Sequence, residues 1–425
     1  MKKISSILLA LNLQLSNSRG LIFPLFMLTK NNAIAAALSY TLTISLANIL
    51  GPSDFGIYSF VLVIGSILSI VITFGTDLTA PMMFAKIANR QKALSIIFGI
   101  RLSIILITAL GLAIYSFTSL ALSYYILCLL AAAFNLSYLY ESMSNNIKYS
   151  YIYLTERLSY ISLVFIVIYF GELSLSLVFS LILISSLVSI LFQYSDMRVE
   201  LRCITQYNFG EYFNILKINY PLVMVAFALF CYGGFSKIII ENKFGTTTLG
   251  IYSAGWQLIS IGTLFQMQVT RVWRLKISTA VVNGDNFVLR GLMKSYIVFT
   301  TAPLLALVLV MLITSKQIVS FLFSPSYHTL AEVLPILGVY LIVINFAGLA
   351  EMLWIPVARN KSYMAINVFF GAMLLLILHF LPSDFGLVGF AVSTVTIHFA
   401  ATIVLLASWL IVYRGSTLIK ITKNG

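Results

Sequence analysis

Long apolar runs are the feature that most limits what this chain can fold into. A helix rises about 1.5 Å per residue, so roughly 20 apolar residues cross a hydrocarbon layer about 30 Å thick. The 425 residues have room for about twelve such runs, and little else. We therefore predict an all-α integral membrane protein with about twelve transmembrane helices. The predicted spans are 24–50, 57–84, 93–117, 120–143, 151–170, 173–192, 220–240, 251–272, 296–313, 330–357, 363–381 and 387–412.

Composition supports this prediction. Apolar residues make up 60% of the chain and charged residues only 9%, whereas a soluble domain carries about 25% charged residues. So little polar material cannot cover a water-facing surface of this size. The net charge of +13 comes from small groups of Lys and Arg between apolar runs. That pattern is typical of membrane orientation signals, so we expect no nucleic-acid partner.

The same cations predict the orientation. Lys and Arg are concentrated near both termini and in every second connection, while the opposite connections carry only Lys243 and Lys316. This bias predicts that both termini are cytoplasmic and that the number of spans is even. The apolar start of the chain is interrupted by Asn12 and Gln14, so we interpret it as a retained cytoplasmic or interfacial segment rather than a cleaved signal peptide.

A short internal repeat indicates two copies of one unit. The letters GIYS occur at 56–59, where the second predicted span begins, and again at 250–253, where the eighth begins. Each follows the first helix of its half at a short turn that we expect to be external. We therefore predict two six-helix lobes, with boundaries at 1–205 and 206–425, which is a common plan of transporters.

The chain shows no sign of a catalytic or nucleotide-binding unit. Its longest polar connection, 195–216, is about 20 residues long, too short for a separate soluble domain. There is no phosphate-cradling Gly-x-x-x-x-Gly-Lys loop. Cys128, Cys203 and Cys231 are far apart, and no acids or histidines have metal-ligand spacing. We expect neither enzymatic activity nor a cofactor or metal.

Ionisable side chains at membrane depth are the candidate functional residues, because each costs about 2.5–3.5 kcal/mol to insert. Arg101 is about eight residues, or roughly 12 Å, into the third predicted span, which is too deep for easy snorkelling. It is predicted to line a polar cavity; the alternative is a structural partner for a backbone carbonyl or carboxylate. His379 and His398, in spans eleven and twelve, are interpreted as hydrogen-bonding groups rather than proton carriers.

Four further cations complete the predicted substrate site. Arg271 and Arg274 are near the cytoplasmic end of the eighth span, Lys30 is near the start of the first, and Lys237 is near the outer end of the seventh. Anchoring or snorkelling at the membrane surface also explains each of them. Together with Arg101 they give a cationic interior that suits an anionic ligand, and Arg forks suit phosphate in particular.

Two further sets of polar and ionisable residues add to this picture. Asp77 and Glu351, near the cytoplasmic ends of the second and tenth spans, are the candidates for binding a coupling ion. A polar stripe follows one face of span eight, with members three or four residues apart. Its members are Gln257, Ser260, Thr263, Gln266, Thr270 and Arg274.

Four segments carry a resemblance to a known family. They are LANILGPSDFGIYS at 46–59, FG through LGIYSA at 244–254, FSPSY at 323–327 and FGLVGFA at 385–391. In order and spacing they resemble the polysaccharide-transporter branch of the superfamily that also holds MATE drug exporters and the lipid II flippase. One departure is Ser324, which stands where glycine is common in that family.

The resemblance implies a MATE-like fold and a transport function. It implies two six-helix lobes around a central cavity that flips an undecaprenyl-diphosphate-linked oligosaccharide, of the O-antigen type, from the cytoplasmic to the external leaflet. It also implies a bacterial inner-membrane location, contact with membrane lipids and with other glycan-assembly membrane proteins, and H⁺ or Na⁺ as the coupling ion. A MATE-like exporter of small cations is the alternative, but it needs a mid-depth carboxylate, and the sequence has none there. A lipid II flippase usually has two more helices.

Overall fold

The computed structural model describes residues 2–76, 90–115, 120–130, 134–142, 145–171, 173–197, 209–357 and 360–423, and within these it contains helices and no strands. In the first half of the chain the helices are α1 Lys2–Thr73, α2 Arg90–Tyr115, α3 Leu120–Leu130, α4 Ser137–Ser142, α5 Asn146–Phe170 and α6 Leu175–Asp196. In the second half they are α7 Phe209–Phe230, the π-helical turn Cys231–Phe235, α8 Ser236–Asn283, α9 Asn286–Leu322, α10 Leu330–Trp354, α11 Asn360–Phe380 and α12 Gly386–Lys423.

Two of these helices are each made of two predicted spans. In α1 the backbone leaves the helical conformation at Gly51, with φ 71° and ψ 171°. In α8 it does so at Gly245, with φ 81° and ψ 175°. Both φ values lie in the region that side-chain-bearing L residues avoid, so glycine is required at both turns. Each turn follows the end of the first helix in its half, as the sequence predicts.

The apolar helical segments of the described residues agree in number with the predicted spans. In the described part of the chain, eight continuous helical stretches are long and apolar enough to cross a membrane. Two of them, Ala33–Thr73 and Asn219–Arg274, contain the glycine turns and each hold two spans. Two further apolar helices, Ile96–Gly111 and Ala121–Leu130, are shorter. With the two glycine-containing stretches counted twice and the shorter helices added, the described residues contain twelve apolar helical segments. The predicted fold class is confirmed.

The fourth and seventh predicted spans depart from a regular helix. The predicted fourth span, 120–143, is interrupted, because α3 ends at Leu130 and α4 begins at Ser137. The seventh contains Pro221 and then the π-helical turn Cys231–Phe235. Proline removes one backbone hydrogen bond and a π turn adds one residue to a helical turn, so both change the direction of the side chains that follow.

Aromatic side chains join the helices of the second half. Trp354 of α10 donates its indole N–H to the Leu405 carbonyl, at 2.8 Å, and Trp409 of α12 donates to the Leu353 carbonyl, at 2.9 Å. Both indoles are buried. Buried indole N–H groups need acceptors, and this reciprocal pair fixes the rotation of α10 against α12.

Two compact units can be distinguished by contacts along the chain. One consists of Met1–Leu42, Thr76–Gly99 and Ala131–Tyr207, and the other of Thr43–Gly75, Ile100–Leu130 and Asn208–Gly425. These units cross the predicted lobe boundary between 205 and 206. They describe which segments pack together rather than the six-plus-six repeat, so the lobe boundaries stay a prediction.

Candidate functional site

Arg101 is deeply buried on α2. It lies within the apolar segment Ile96–Gly111, and its side chain is 5% exposed. Of the Lys, Arg, Asp and Glu side chains that the structure describes, only that of Arg101 is buried. Arg101 does interact with another part of the protein, so the cavity role and the structural role both stay open. A buried guanidinium is retained only where it is paired or serves a polar ligand.

The C-terminal part of the polar stripe on α8 forms hydrogen bonds with α9, which in turn bonds to α10. Gln266 Nε2 donates to Thr270 Oγ1 at 2.9 Å and to Tyr296 Oη at 3.3 Å. Thr270 Oγ1 lies 3.1 Å from the same Tyr296 hydroxyl, which donates to the Asn345 carbonyl at 3.3 Å. We call Gln266, Thr270, Tyr296 and Asn345 the polar ladder. Its members are buried and bonded to one another, so it holds three helices together.

Arg274 continues the stripe and forms an ion pair with Glu351 of α10. Arg274 Nη2 lies 2.8 Å from Glu351 Oε1, and the two side chains are 44% and 31% exposed. The sequence assigned these residues to separate roles, substrate binding and ion coupling. The structure brings them into one pair, so the charge of Arg274 is balanced. Such partly exposed pairs add little to stability, and a competing anion or cation can separate them at small cost.

The remaining predicted residues are not brought together by the described structure. Lys30 is exposed, although its neighbour Asn31 is buried and donates to Ser150 Oγ at 3.1 Å. Lys237 is partly buried on α8, directly after the π-helical turn. The Arg271 side chain and all of Asp77 lie outside the described residues. Their roles in substrate binding and coupling therefore stay predictions.

One ion pair that the sequence analysis did not predict lies where α5 begins and α6 ends. Lys148 forms an ion pair with Asp196, and Tyr140 Oη donates to the other carboxylate oxygen of Asp196 at 2.9 Å. Arg157 places its guanidinium over the Tyr153 ring, 5.0 Å from the centroid. Lys148 is near the start of α5 and Asp196 is at the end of α6. Consecutive antiparallel helices bring such positions to the same level, so the opposite charges at these two positions could have predicted the ion pair.

A second cluster surrounds His398 of α12. The imidazole stacks on the ring of Tyr232, with centroids 3.9 Å apart and planes 9° apart. Its Nδ1 lies 2.9 Å from the Tyr340 hydroxyl, so His398 has the hydrogen-bond partner that the sequence predicted. Trp256 packs edge-on against Tyr340 at 4.9 Å. Tyr232 belongs to the π-helical turn, which explains why no regular helical spacing indicated this contact.

With this geometry described, comparisons with known proteins define the class and then the family. The fold is that of the MATE-like transporters of the MOP superfamily, a class of polytopic membrane transporters. The polysaccharide biosynthesis protein family matches residues 25–273, which is more than half of the chain, and the chain belongs to that family. No curated protein matches the chain by sequence.

Solved structures agree with this fold. An inward-facing MATE family transporter of the MOP superfamily aligns with a TM-score of 0.73 at 15% identity, covering 90% of this chain and 94% of its own. An outward-facing form gives 0.63 at 15% identity, covering 92% and 94%. A MOP superfamily transporter from Pyrococcus furiosus, described as having a binding pocket of reversed polarity that suggests a different function, gives 0.62 at 15% identity, covering 92% and 94%. At these identities the similarity concerns the fold.

Proposed function

We propose that this protein is a flippase that moves an undecaprenyl-diphosphate-linked oligosaccharide, of the O-antigen type, from the cytoplasmic to the external leaflet of a bacterial inner membrane. Membership of the polysaccharide biosynthesis family supports a glycan substrate. The observation that carries the proposal is the burial of Arg101. Of the Lys, Arg, Asp and Glu side chains that the structure describes, the buried one is positively charged. A diphosphate is the part of such a substrate that this charge would recognise.

The proposed path uses the predicted cations in order. Arg271 and Arg274 attract the diphosphate at the cytoplasmic entrance, and Arg101 holds it at depth during alternating access. Arg274 is paired with Glu351, so a diphosphate that binds Arg274 displaces the carboxylate. The released Glu351 is then free to take up a cation. This exchange would couple substrate entry to H⁺ or Na⁺ binding without a separate nucleotide site.

The second candidate function is export of small cations, as in MATE multidrug transporters. The structural matches to such transporters favour it through the fold. A cationic drug needs a carboxylate that is shielded from water. None of the Asp and Glu side chains that the structure describes is buried. The distribution of buried charge therefore favours the anionic substrate.

Deletion of the gene in a bacterium that makes the glycan tests the proposal. The lipid-linked unit should accumulate on the cytoplasmic side, and the surface glycan should be lost until the gene is restored. Drug sensitivity of the same strain is the matched measurement, because an exporter would change drug resistance and leave the surface glycan intact. Normal surface glycan in the deletion strain would contradict the proposal.

A further inference from the structure

The polar stripe on α8 divides into two parts with different surroundings. In its C-terminal part, Gln266 and Thr270 are buried in the polar ladder and bonded to α9. In its N-terminal part, the side chains of Gln257, Ser260 and Thr263 are half-buried. These three residues are three positions apart and share one face of the helix. We call them the open stripe, and the proposed function gives them no role.

The open stripe keeps hydrogen-bonding groups that the other described helices do not use. Ser260 Oγ donates to the Gln257 carbonyl at 2.5 Å, and Thr263 Oγ1 donates to the Ser260 carbonyl at 2.9 Å. These bonds stay within α8 and leave the lone pairs of both hydroxyls available as acceptors. The Gln257 carboxamide is bonded to none of the described residues. It therefore offers two N–H donors and a carbonyl acceptor to a ligand.

The exposures along this part of α8 distinguish its lipid side from its inner side. Ile261 and Phe265 are apolar, and they are 46% and 36% exposed. The members of the open stripe lie on a different side of the helix and are less exposed. Polar groups are costly in hydrocarbon. We therefore expect the apolar side to face lipid and the open stripe to face a water-filled passage inside the protein.

Trp256 begins the same face, four residues before Ser260 and seven before Thr263. Its ring packs edge-on against Tyr340, with centroids 4.9 Å apart. Its buried indole Nε1 has no partner at hydrogen-bond geometry, although the Tyr252 hydroxyl is nearby. A ligand hydroxyl that accepts this N–H would satisfy it. An aromatic ring beside an amide and two hydroxyls presents apolar and polar groups together, as a sugar does.

We propose that the open stripe and Trp256 form a sugar subsite, which binds glycan hydroxyls and thereby selects the glycan that is flipped. This inference rests on the proposed flippase function. Thr263 and Gln257 precede Arg274 by 11 and 17 residues, or roughly 16 and 26 Å along the helix. A glycan whose diphosphate is at Arg274 would therefore reach the subsite with the sugars beyond its first one. In the predicted orientation the sugars lead and the diphosphate follows.

Flipping of two substrates by the same variants tests the subsite. Gln257→Leu, Ser260→Ala and Thr263→Val each remove hydrogen-bonding groups. In proteoliposomes, each should slow flipping of the complete undecaprenyl-diphosphate-linked unit roughly 2- to 13-fold, which corresponds to one hydrogen bond. Flipping of a truncated substrate that carries only the first sugar should not change. Ile261→Ala, on the apolar side of the helix, is the control and should flip both substrates normally.

The same substitution at two glutamines separates recognition from packing. The Gln266 amide is bonded within the polar ladder, so Gln266→Leu should lower the thermal transition of the purified protein. The Gln257 amide has no bond to the described residues that could be lost, so Gln257→Leu should leave the transition unchanged while it slows flipping of the complete unit.

Thiol labelling tests the direction of the open stripe without any lipid-linked substrate. In a background with Cys128, Cys203 and Cys231 replaced by Ala, a hydrophilic thiol reagent should label Thr263→Cys but not Phe265→Cys. The free oligosaccharide, released from its lipid, should slow labelling of Thr263→Cys. This protection measures sugar binding directly.

Two results would overturn the sugar subsite and leave the proposed function standing. One is that the folded variants flip the complete and the truncated substrates with unchanged rates, or with rates lowered by the same factor. The other is that Thr263→Cys is not labelled, because the open stripe would then not face water. If the unaltered protein is folded but flips neither substrate, the proposed function fails instead.

Discussion

Replacement of Arg101 by Lys and by Met is the most direct test of the anion site. Lys keeps the charge but loses the paired donors of the guanidinium, and Met keeps much of the volume while removing both. A hydrogen bond to a charged group contributes about 1.5–3 kcal/mol, so loss of one should slow flipping roughly 10- to 150-fold at limiting substrate. Arg101→Met should slow flipping more than Arg101→Lys does, so that no transport is detected.

The same variants separate a substrate role from a structural one. Arg101 is 5% exposed in an apolar helix, and such a charge costs about 2.5–3.5 kcal/mol to insert. If Arg101 serves the substrate, Met removes that cost and the thermal stability of the purified protein should be unchanged or higher. If the guanidinium instead holds neighbouring protein groups, Met should lower stability along with transport, because those groups lose their partner.

The assay combines surface glycan in a complemented deletion strain with flipping rates in proteoliposomes, normalised to protein amount. Lys316→Met, the loss of an exposed cation on α9, is the matched control and should flip normally. Near-normal flipping by a well-expressed Arg101→Met protein would refute the reasoning, since the cationic site would then lack its deepest residue. A parallel loss of stability and transport would refute it as well.

Further predictions follow from the ladder, the ion pair, the topology and the energy source. Tyr296→Phe should lower the free energy of unfolding by about 0.6–1.7 kcal/mol, the range for side-chain hydrogen bonds within membranes, as seen in a shifted thermal transition. Arg274→Glu and Glu351→Arg should each lower both expression and flipping, because each places two like charges together. The double exchange should restore expression, because the ion pair forms again, but not flipping, because the cation then lies on the other helix. Reporter fusions after Gly171 should report external and those after Asn283 cytoplasmic; reversal of both would overturn the orientation. Flipping should stop when ionophores collapse the ion gradients and the potential, which supplies about 2.3 kcal/mol per charge per 100 mV.

The positions of the spans could be predicted because hydrocarbon imposes a length and a composition on each helix. Helix ends were less certain where the helix continues beyond the apolar window. The predicted ninth span, 296–313, is the apolar part of α9, which runs over Asn286–Leu322 and leaves the helical conformation at Thr314. Its extra turns carry Arg290 and Lys294, which hydropathy excludes although they extend the same helix. The break between α3 and α4 and the π-helical turn lie within apolar runs, so hydropathy does not mark them, although Gly233 and Gly234 lower the helix propensity of the π-helical turn.

The partners of the polar residues could not be predicted for a different physical reason. A soluble helix shows which face is buried through its apolar stripe, but lipid is as apolar as a protein core, so a membrane helix carries no such mark. Counting residues therefore gave the depth of Arg101 but not its neighbours. In the same way it gave the levels of Arg274 and Glu351, 77 positions apart, but not the rotation of α8 and α10 that brings them together.

The two halves of the chain use their polar residues differently, and this bears on how an anionic substrate would be held. In the second half, the polar ladder and the His398 cluster are neutral and bonded internally, and the charge of Arg274 is balanced by Glu351. The buried guanidinium of the described chain lies in the first half, on α2. In the proposed function, Arg101 of the first half would hold the diphosphate, while Glu351 of the second half would exchange between Arg274 and a coupling cation. This division predicts that Arg101→Lys alters substrate affinity most, whereas Glu351→Gln alters the dependence of flipping on the ion gradient.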